Sequence, residues 1–385
     1  MRTLGRYALA VGVIGLAASA APGFAHPDQF LRSYLFAYLF WSGLALGCLS
    51  VSMIHHLTGG VWGLVIRRIL EAGTRTLPLL ALLFLPIAVG LPRLYAWARP
   101  EVVAADPVLV HKSLYLNPAF FLGRAVFYFA VWIALAYRMS RLSLALDAGP
   151  DPRVERRLRG LVLLGLTITF SSVDWAMSLD PHWFSTIYGI LFMVGQALSA
   201  LAFVIVMLAL LSGEKPLSDV VRPTGVHDLG KLLLAFVMLW TYMHLSQFLI
   251  VWSGNLPEEI PWYLRRLQGG WQAVALVLVL FHFALPFLLL LSRDLKRNAG
   301  LLAWVAGGLL AVRLADVFWL VAPDAGGPGS HGTGLAFQWL DVAVPVGLGG
   351  VWLAAFLREL QAHPLVPVGD PEIRDLLEEA SEVGR

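Results

Sequence analysis

The chain has 385 residues, of which 58% are hydrophobic and only 14% charged, and its mean hydropathy is +0.73. A soluble domain is about a quarter charged, so this composition excludes an ordinary water-soluble fold and calls for lipid as the solvent. The net charge of +3 reflects basic residues placed between apolar stretches, a topology signal rather than a nucleic-acid signal.

A helix crossing a bilayer needs about 20 mostly apolar residues. Such stretches fall near 7–25, 31–57, 75–96, 118–143, 160–179, 183–212, 229–253, 269–292, 299–322 and 334–357. The expected fold is all-α, a polytopic membrane helix bundle of about ten transmembrane helices. Residues 1–26 form the first helix, 27–357 the helical core and 358–385 a tail. Of the 28 Lys and Arg, 20 fall on alternate segments counted from the N-terminus and six on the others, with Arg124 and Arg313 inside spans. The excess, dominated by the run Arg138–Arg159, predicts both termini in the cytoplasm. No soluble domain is inserted, and no strong internal repeat is visible, although membrane bundles often hide diverged duplications.

The first stretch follows Arg2 and Arg6 and precedes the small residues Ala17 to Ala21. That is also the pattern of a cleaved signal peptide; a retained helix is the preferred reading. Cys48, in the second stretch, is the only cysteine. This excludes an intramolecular disulfide, a protein-ligated iron–sulfur cluster and covalent c-type haem attachment. The stretch ends in His55-His56, ahead of "LTGGVWGL". These histidines are either interfacial residues or the cytoplasmic mouth of a proton route.

The stretch "SSVDWAMSLDPHWFSTIYGI" (Ser171 to Ile190) places Asp174, Asp180 and His182 together with no Lys or Arg. Asp180-Pro181 reads as a helix cap followed by proline at the first helical position, starting the sixth span. Asp174 lies inside the fifth span, with Ser171 and Ser178 on its face at helical spacing. A carboxyl there costs a few kcal/mol unless it is protonated, paired or wetted, so it is either a structural hydrogen-bonding acid or a proton-handling one.

The other intramembrane ionisable groups are expected at similar depth: Arg124 in span four, His244 and His282 in spans seven and eight, Arg313 and Asp316 in span nine, Asp341 in span ten. Arg313 and Asp316 form an i,i+3 pair, and Arg124 could hold Asp174 or Asp341. Pairing for helix packing is one account. The other is a functional polar cavity, because intramembrane charge usually marks an ion, proton or ligand path. His244 and His282, on adjacent antiparallel spans, also have the placement that bis-imidazole haem ligation needs, but there is no second such pair. The loop "PDAGGPGSHGTG" (Pro323–Gly334) lacks the context of a phosphate loop, and the acidic tail "DPEIRDLLEEASEVGR" reads as solvated, with scope for one short amphipathic helix.

The run "FSSVDWAMSLDPHWFSTIYGILFMVGQ" (Phe170–Gln196) resembles the ActF subunit of bacterial alternative complex III. So do "RSYLFAYLFWSGLALGCLSVSMIHHLTGGVWGLVIRR" (Arg32–Arg68) and "RTLPLLALLFLPI" (Arg75–Ile87). The resemblance covers roughly residues 27 to 357, and the serine–aspartate–tryptophan and proline–histidine–tryptophan elements are its specific part. It implies a ten-span subunit, related to polysulfide-reductase-type anchors, in a quinol:acceptor oxidoreductase of the bacterial cytoplasmic membrane. The implied partners are a multihaem cytochrome c, an iron–sulfur protein, a sister ten-span quinol-binding subunit and smaller membrane subunits, with a terminal oxidase as a neighbour. Haem and iron–sulfur clusters are expected in those partners and none in this chain, which would contact only quinone or quinol. The residues carried over are Asp174, His182, His55 and His56. Asp174 is then the acid most expected to exchange protons, with His182 as its surface partner. The alternatives are an assembly scaffold, a b-type cytochrome through His244 and His282, and a secondary transporter.

Overall fold

The computed structural model describes residues 1–146, 160–324, 334–367, 373–374 and 378. Among these, 83% are helical and none is in a strand, so the chain is all-α, as its composition requires. In hydrocarbon every backbone N–H and C=O must be satisfied within the segment, which an apolar helix does by itself. Ten helices are long and apolar enough to cross a membrane. They are Arg2–Ala25 (span 1), Pro27–Thr58 (span 2), Trp62–Val89 (span 3), Pro118–Ala145 (span 4), Leu161–Leu179 (span 5), Tyr188–Leu211 (span 6), Pro223–Gly254 (span 7), Trp271–Leu291 (span 8), Ala299–Val321 (span 9) and Leu340–Gln361 (span 10). Spans 1 and 10 run antiparallel, with Gly5 beside Leu357 and Gly15 beside Gly347. The end where span 1 begins and span 10 ends is the proximal end, and the end with residues 94–117, 180–187 and 255–270 the distal end.

Spans 2 and 6 form the centre: 94% and 83% of their most apolar windows are buried, against 22% in spans 7 and 8. Their crossing is close because of glycine. A Cβ on Gly47 would lie 2.0 Å from the Gln196 carbonyl oxygen, so only a residue without a side chain lets the backbones approach this far. Spans 3, 4 and 5 form one flank, spans 7, 8 and 9 the other, and span 1 lies along span 10.

Three boundaries differ from the sequence expectation. Span 3 was expected at 75–96 but begins at Trp62. Arg67, Arg68 and Glu71 look like loop charges in the sequence, yet all three are buried in the helix Val61–Thr74, where Glu71 pairs with both arginines. Pro78, Pro86 and Pro92 then divide the continuation into the short helices Leu77–Leu83, Leu85–Val89 and Leu91–Leu94, because each removes a backbone donor. Span 6 begins at Tyr188 with Ile187 at its cap position, so Asp180 does not cap it. Instead Asp180 accepts from the His182 backbone N–H (3.2 Å) and from Arg265. Span 10 begins at Leu340, which puts Asp341 in its first turn instead of several residues deep.

Residues 147–159 of the basic run, 325–333 of the glycine-rich loop and most of the acidic tail lie outside the described residues.

Candidate functional site

Asp174 ends the regular part of span 5, whose helix stops at Trp175. Its carboxylate is gripped at both oxygens by Arg124 of span 4, Nε to Oδ2 at 2.8 Å and Nη2 to Oδ1 at 2.9 Å. Two parallel bonds to a planar guanidinium are the strongest form of this pair. The Tyr128 hydroxyl donates a third bond to Oδ2, at 2.7 Å. Arg124 also donates to the Tyr115 carbonyl at 3.0 Å and lies 3.8 Å from the Tyr115 ring centre, a cation–π contact. The serines spend their hydroxyls on the backbone: Ser171 on the Ile168 carbonyl and Ser178 on that of Asp174. Around this pair Trp175 packs on Phe84 (4.9 Å between ring centres) and Trp132 (5.6 Å). Asp174 is therefore fully partnered and walled in, with 1% of its side chain exposed.

A second acid site lies on the other flank. Asp316 of span 9 accepts from Arg313 one turn earlier and from Trp240 Nε1 (3.0 Å), both at Oδ2. Room for Arg313 comes from Gly195 of span 6, where a Cβ would lie 2.3 Å from the guanidinium. The Trp240 ring contacts two imidazoles, with centres 4.2 Å from His244 and 3.9 Å from His282. Polar atoms are left over. Asp316 Oδ1, His244 Nε2 and both ring nitrogens of His282 are buried with no hydrogen-bond partner among the described residues. Asp316 and His282 are completely buried, and an orphaned polar group of this kind costs about 1–3 kcal/mol.

The backbone at His282 is unusual as well. Residues Leu278–Ala284 form a π-helical segment within span 8, which inserts one extra residue into the helix and recurs at functional sites. Pro286 follows and has no N–H to give the carbonyl four residues earlier, that of His282.

The remaining sequence candidates are separate from both acids. Asp341 is satisfied by the Ser33 hydroxyl (2.6 Å), Gln29 (3.2 Å) and the Gln338 backbone N–H (2.9 Å); Arg124 does not pair with it. His182 is half exposed and pairs with Asp106 at 2.8 Å, and no hydrogen bond joins it to Asp174. At the proximal end His55 Nε2 donates to the Gly60 carbonyl (3.1 Å) and its ring packs on Trp62 and His56.

Sequence reasoning missed several participants. Tyr128, Tyr115 and Trp240 complete the acid sites, although the i,i+4 spacing of Trp240 and His244 was visible. Arg265 and Arg266 hold Asp324, with Arg266 buried 3.5 Å from the Trp262 ring centre. Glu71 joins Arg67, Arg68, Arg75 and Ser143 into one buried proximal network, announced only by i,i+3 and i,i+4 charge spacing.

Outside the membrane segments, the Tyr115 phenol is pushed up to about 12, first by burial and then by Asp174. Burial lowers the Lys112 ammonium, with Asp180 opposing. Among the described residues no three His, Cys, Asp or Glu side chains are placed to hold a metal ion. What the second site can do is hold and pass a proton: one carboxylate oxygen and three imidazole nitrogens are free to bond to water or to one another's protons. No family model matches the chain, and no curated protein is significantly similar to it.

Proposed function

We propose that the chain is a cofactor-free, multi-pass subunit of a quinol:acceptor oxidoreductase of the alternative complex III type. Its part there is to support quinol oxidation by moving protons through the Asp316, His282 and His244 cluster. In that reading the chain sits in a bacterial cytoplasmic membrane with both termini inside. It works beside a multihaem cytochrome c, an iron–sulfur protein and a sister ten-span quinol-binding subunit. The motif resemblance supports the complex. The observation that carries the proton role is the set of unpartnered atoms on completely buried Asp316 and His282. A site built only for packing would be expected to satisfy them. Trp240 packs its indole against both His244 and His282, the pair that a b-type cytochrome would need for its iron.

The test is to isolate the tagged chain with its associated subunits and compare wild type with Asp316→Asn. The expected result is co-purification of multihaem and iron–sulfur subunits in both. Quinol turnover and proton release should fall by about a hundredfold or more in the variant, the lower range for losing an acid–base group. Recovery of the chain alone would remove the complex, and full turnover in an assembled variant would remove the proton role.

The second reading, an assembly scaffold, is favoured by a different observation: Asp174 is saturated by Arg124 and Tyr128. Under it the intramembrane charges only lock helices.

A further inference from the structure

A cavity of about 260 Å³ opens at the distal end beside spans 4 and 5, and its wall is almost entirely apolar. Val173, Met177, Leu116 and Phe184 line it, together with Lys112 and Trp183. It is independent of the Asp316 cluster.

The polar inventory of this cavity is one-sided. Trp183 is 2% exposed and stacked on Trp262 with ring centres 4.6 Å apart, yet its Nε1–H is buried with no acceptor. Lys112 donates one bond, to the Pro181 carbonyl at 2.6 Å, which leaves two of its three ammonium donors. Asp180 acts on this charge from a distance, but its carboxylate is bonded to Arg265 and makes no ion pair with Lys112. The acceptors on this wall are used: Asp180 by Arg265 and the His182 N–H, and the Ser178 carbonyl by Trp97. An apolar slot whose spare polar atoms are donors, with a cation at the rim, fits an amphiphile with an anionic, hydrogen-bond-accepting head and a hydrocarbon tail.

We propose that this cavity is a binding site for an anionic phospholipid, whose tail fills the slot against Val173 and Met177 while its phosphate meets Lys112. The donors select against a head that is itself a donor. An ammonium-bearing head would place a second cation beside Lys112. A zwitterionic lipid would bring its own cation beside Lys112 together with its phosphate, so its net attraction is weaker.

The test uses the purified, intact assembly in nanodiscs of phosphatidylglycerol or of phosphatidylcholine, read by native mass spectrometry for retained lipid. Three variants accompany wild type: Lys112→Gln removes the charge, Lys112→Arg keeps it, and Val173→Phe fills the slot. The expected result is retained phosphatidylglycerol in wild type and Lys112→Arg. Lys112→Gln should weaken retention about fivefold, as expected for one lysine at a charged interface, and Val173→Phe should abolish it with the fold intact by circular dichroism. Equal retention of phosphatidylcholine, retention unchanged in Lys112→Gln and Val173→Phe, or recovery of a quinone from the slot instead of phospholipid would each overturn the proposal.

Discussion

The two buried acids, Asp174 and Asp316, invite comparison because their ingredients are the same: a carboxylate, an arginine and an aromatic donor. At Asp174 both oxygens are taken by Arg124, with Tyr128 adding a third bond. At Asp316 the arginine and the indole both crowd onto Oδ2, and Oδ1 faces no partner. The arginine at Asp174 arrives from another span, so it fixes two helices together. The one at Asp316 is three residues away on the same helix, so it neutralises charge without tying span 9 to a neighbour. Composition therefore does not separate a saturated acid from one with a spare oxygen; the placement of its partners does.

This contrast ranks the expected effects of substitution. The largest belongs to the saturated acid. Asp174→Asn leaves Arg124 buried and charged without its carboxylate, and breaking a buried pair costs about 3–5 kcal/mol. The measurement is thermal unfolding of the purified assembly, with loss of assembled complex expected; an Asn variant of wild-type stability but low turnover would transfer the proton role to Asp174. Next comes Asp316→Asn, which also leaves a buried arginine without its carboxylate but removes two bonds rather than three, so turnover should fall with a stability loss smaller than that of Asp174→Asn. A stability loss equal to that of Asp174→Asn would erase the distinction. Smaller still is Trp240→Phe, which removes one hydrogen bond to Asp316 while keeping the aromatic contact with both imidazoles. It should cost about 1 kcal/mol, measured by thermal unfolding of the purified assembly.

The smallest effect concerns pH alone. The folded protein holds the Tyr115 phenol proton more tightly than the unfolded chain, with the pKa raised from 10.0 to about 12. The stability this gives is fully present below pH 10 and is lost as pH rises towards about 12. Tyr115→Phe should flatten the fall of stability over that window, measured by unfolding at stepped alkaline pH; an unchanged slope would assign the alkaline loss to other groups.

The bundle was legible in the sequence because apolar runs of span length have few alternatives in lipid. Its errors came where charge is hidden in a helix. Arg67, Arg68 and Glu71 look like loop residues only when Ser143 of span 4, brought beside them by the fold, is left out of account. Asp180 was misplaced by a local rule for helix starts and Asp341 by drawing span 10 from residue 334 instead of Leu340, while Arg265, Ser33 and Gln29 claim them across long sequence separations. The rarity of charge inside spans brought Asp174, Asp316, His244 and His282 forward together. It could not rank them, because saturation depends on partners such as Tyr128, Trp240 and Gly195 that carry no mark of their own.

The π-helical segment at Leu278–Ala284 acts as a one-residue shim in the middle of span 8. Everything on one side of it is out of phase by one residue with a regular helix. Removing a single apolar residue between Leu278 and Phe281 would leave the length, hydropathy and loops of the span nearly unchanged. Yet it would turn His282 by about 100° relative to the earlier turns, swinging the imidazole away from Trp240 and Asp316. In this span, then, the number of residues is as much a part of the site as their identity.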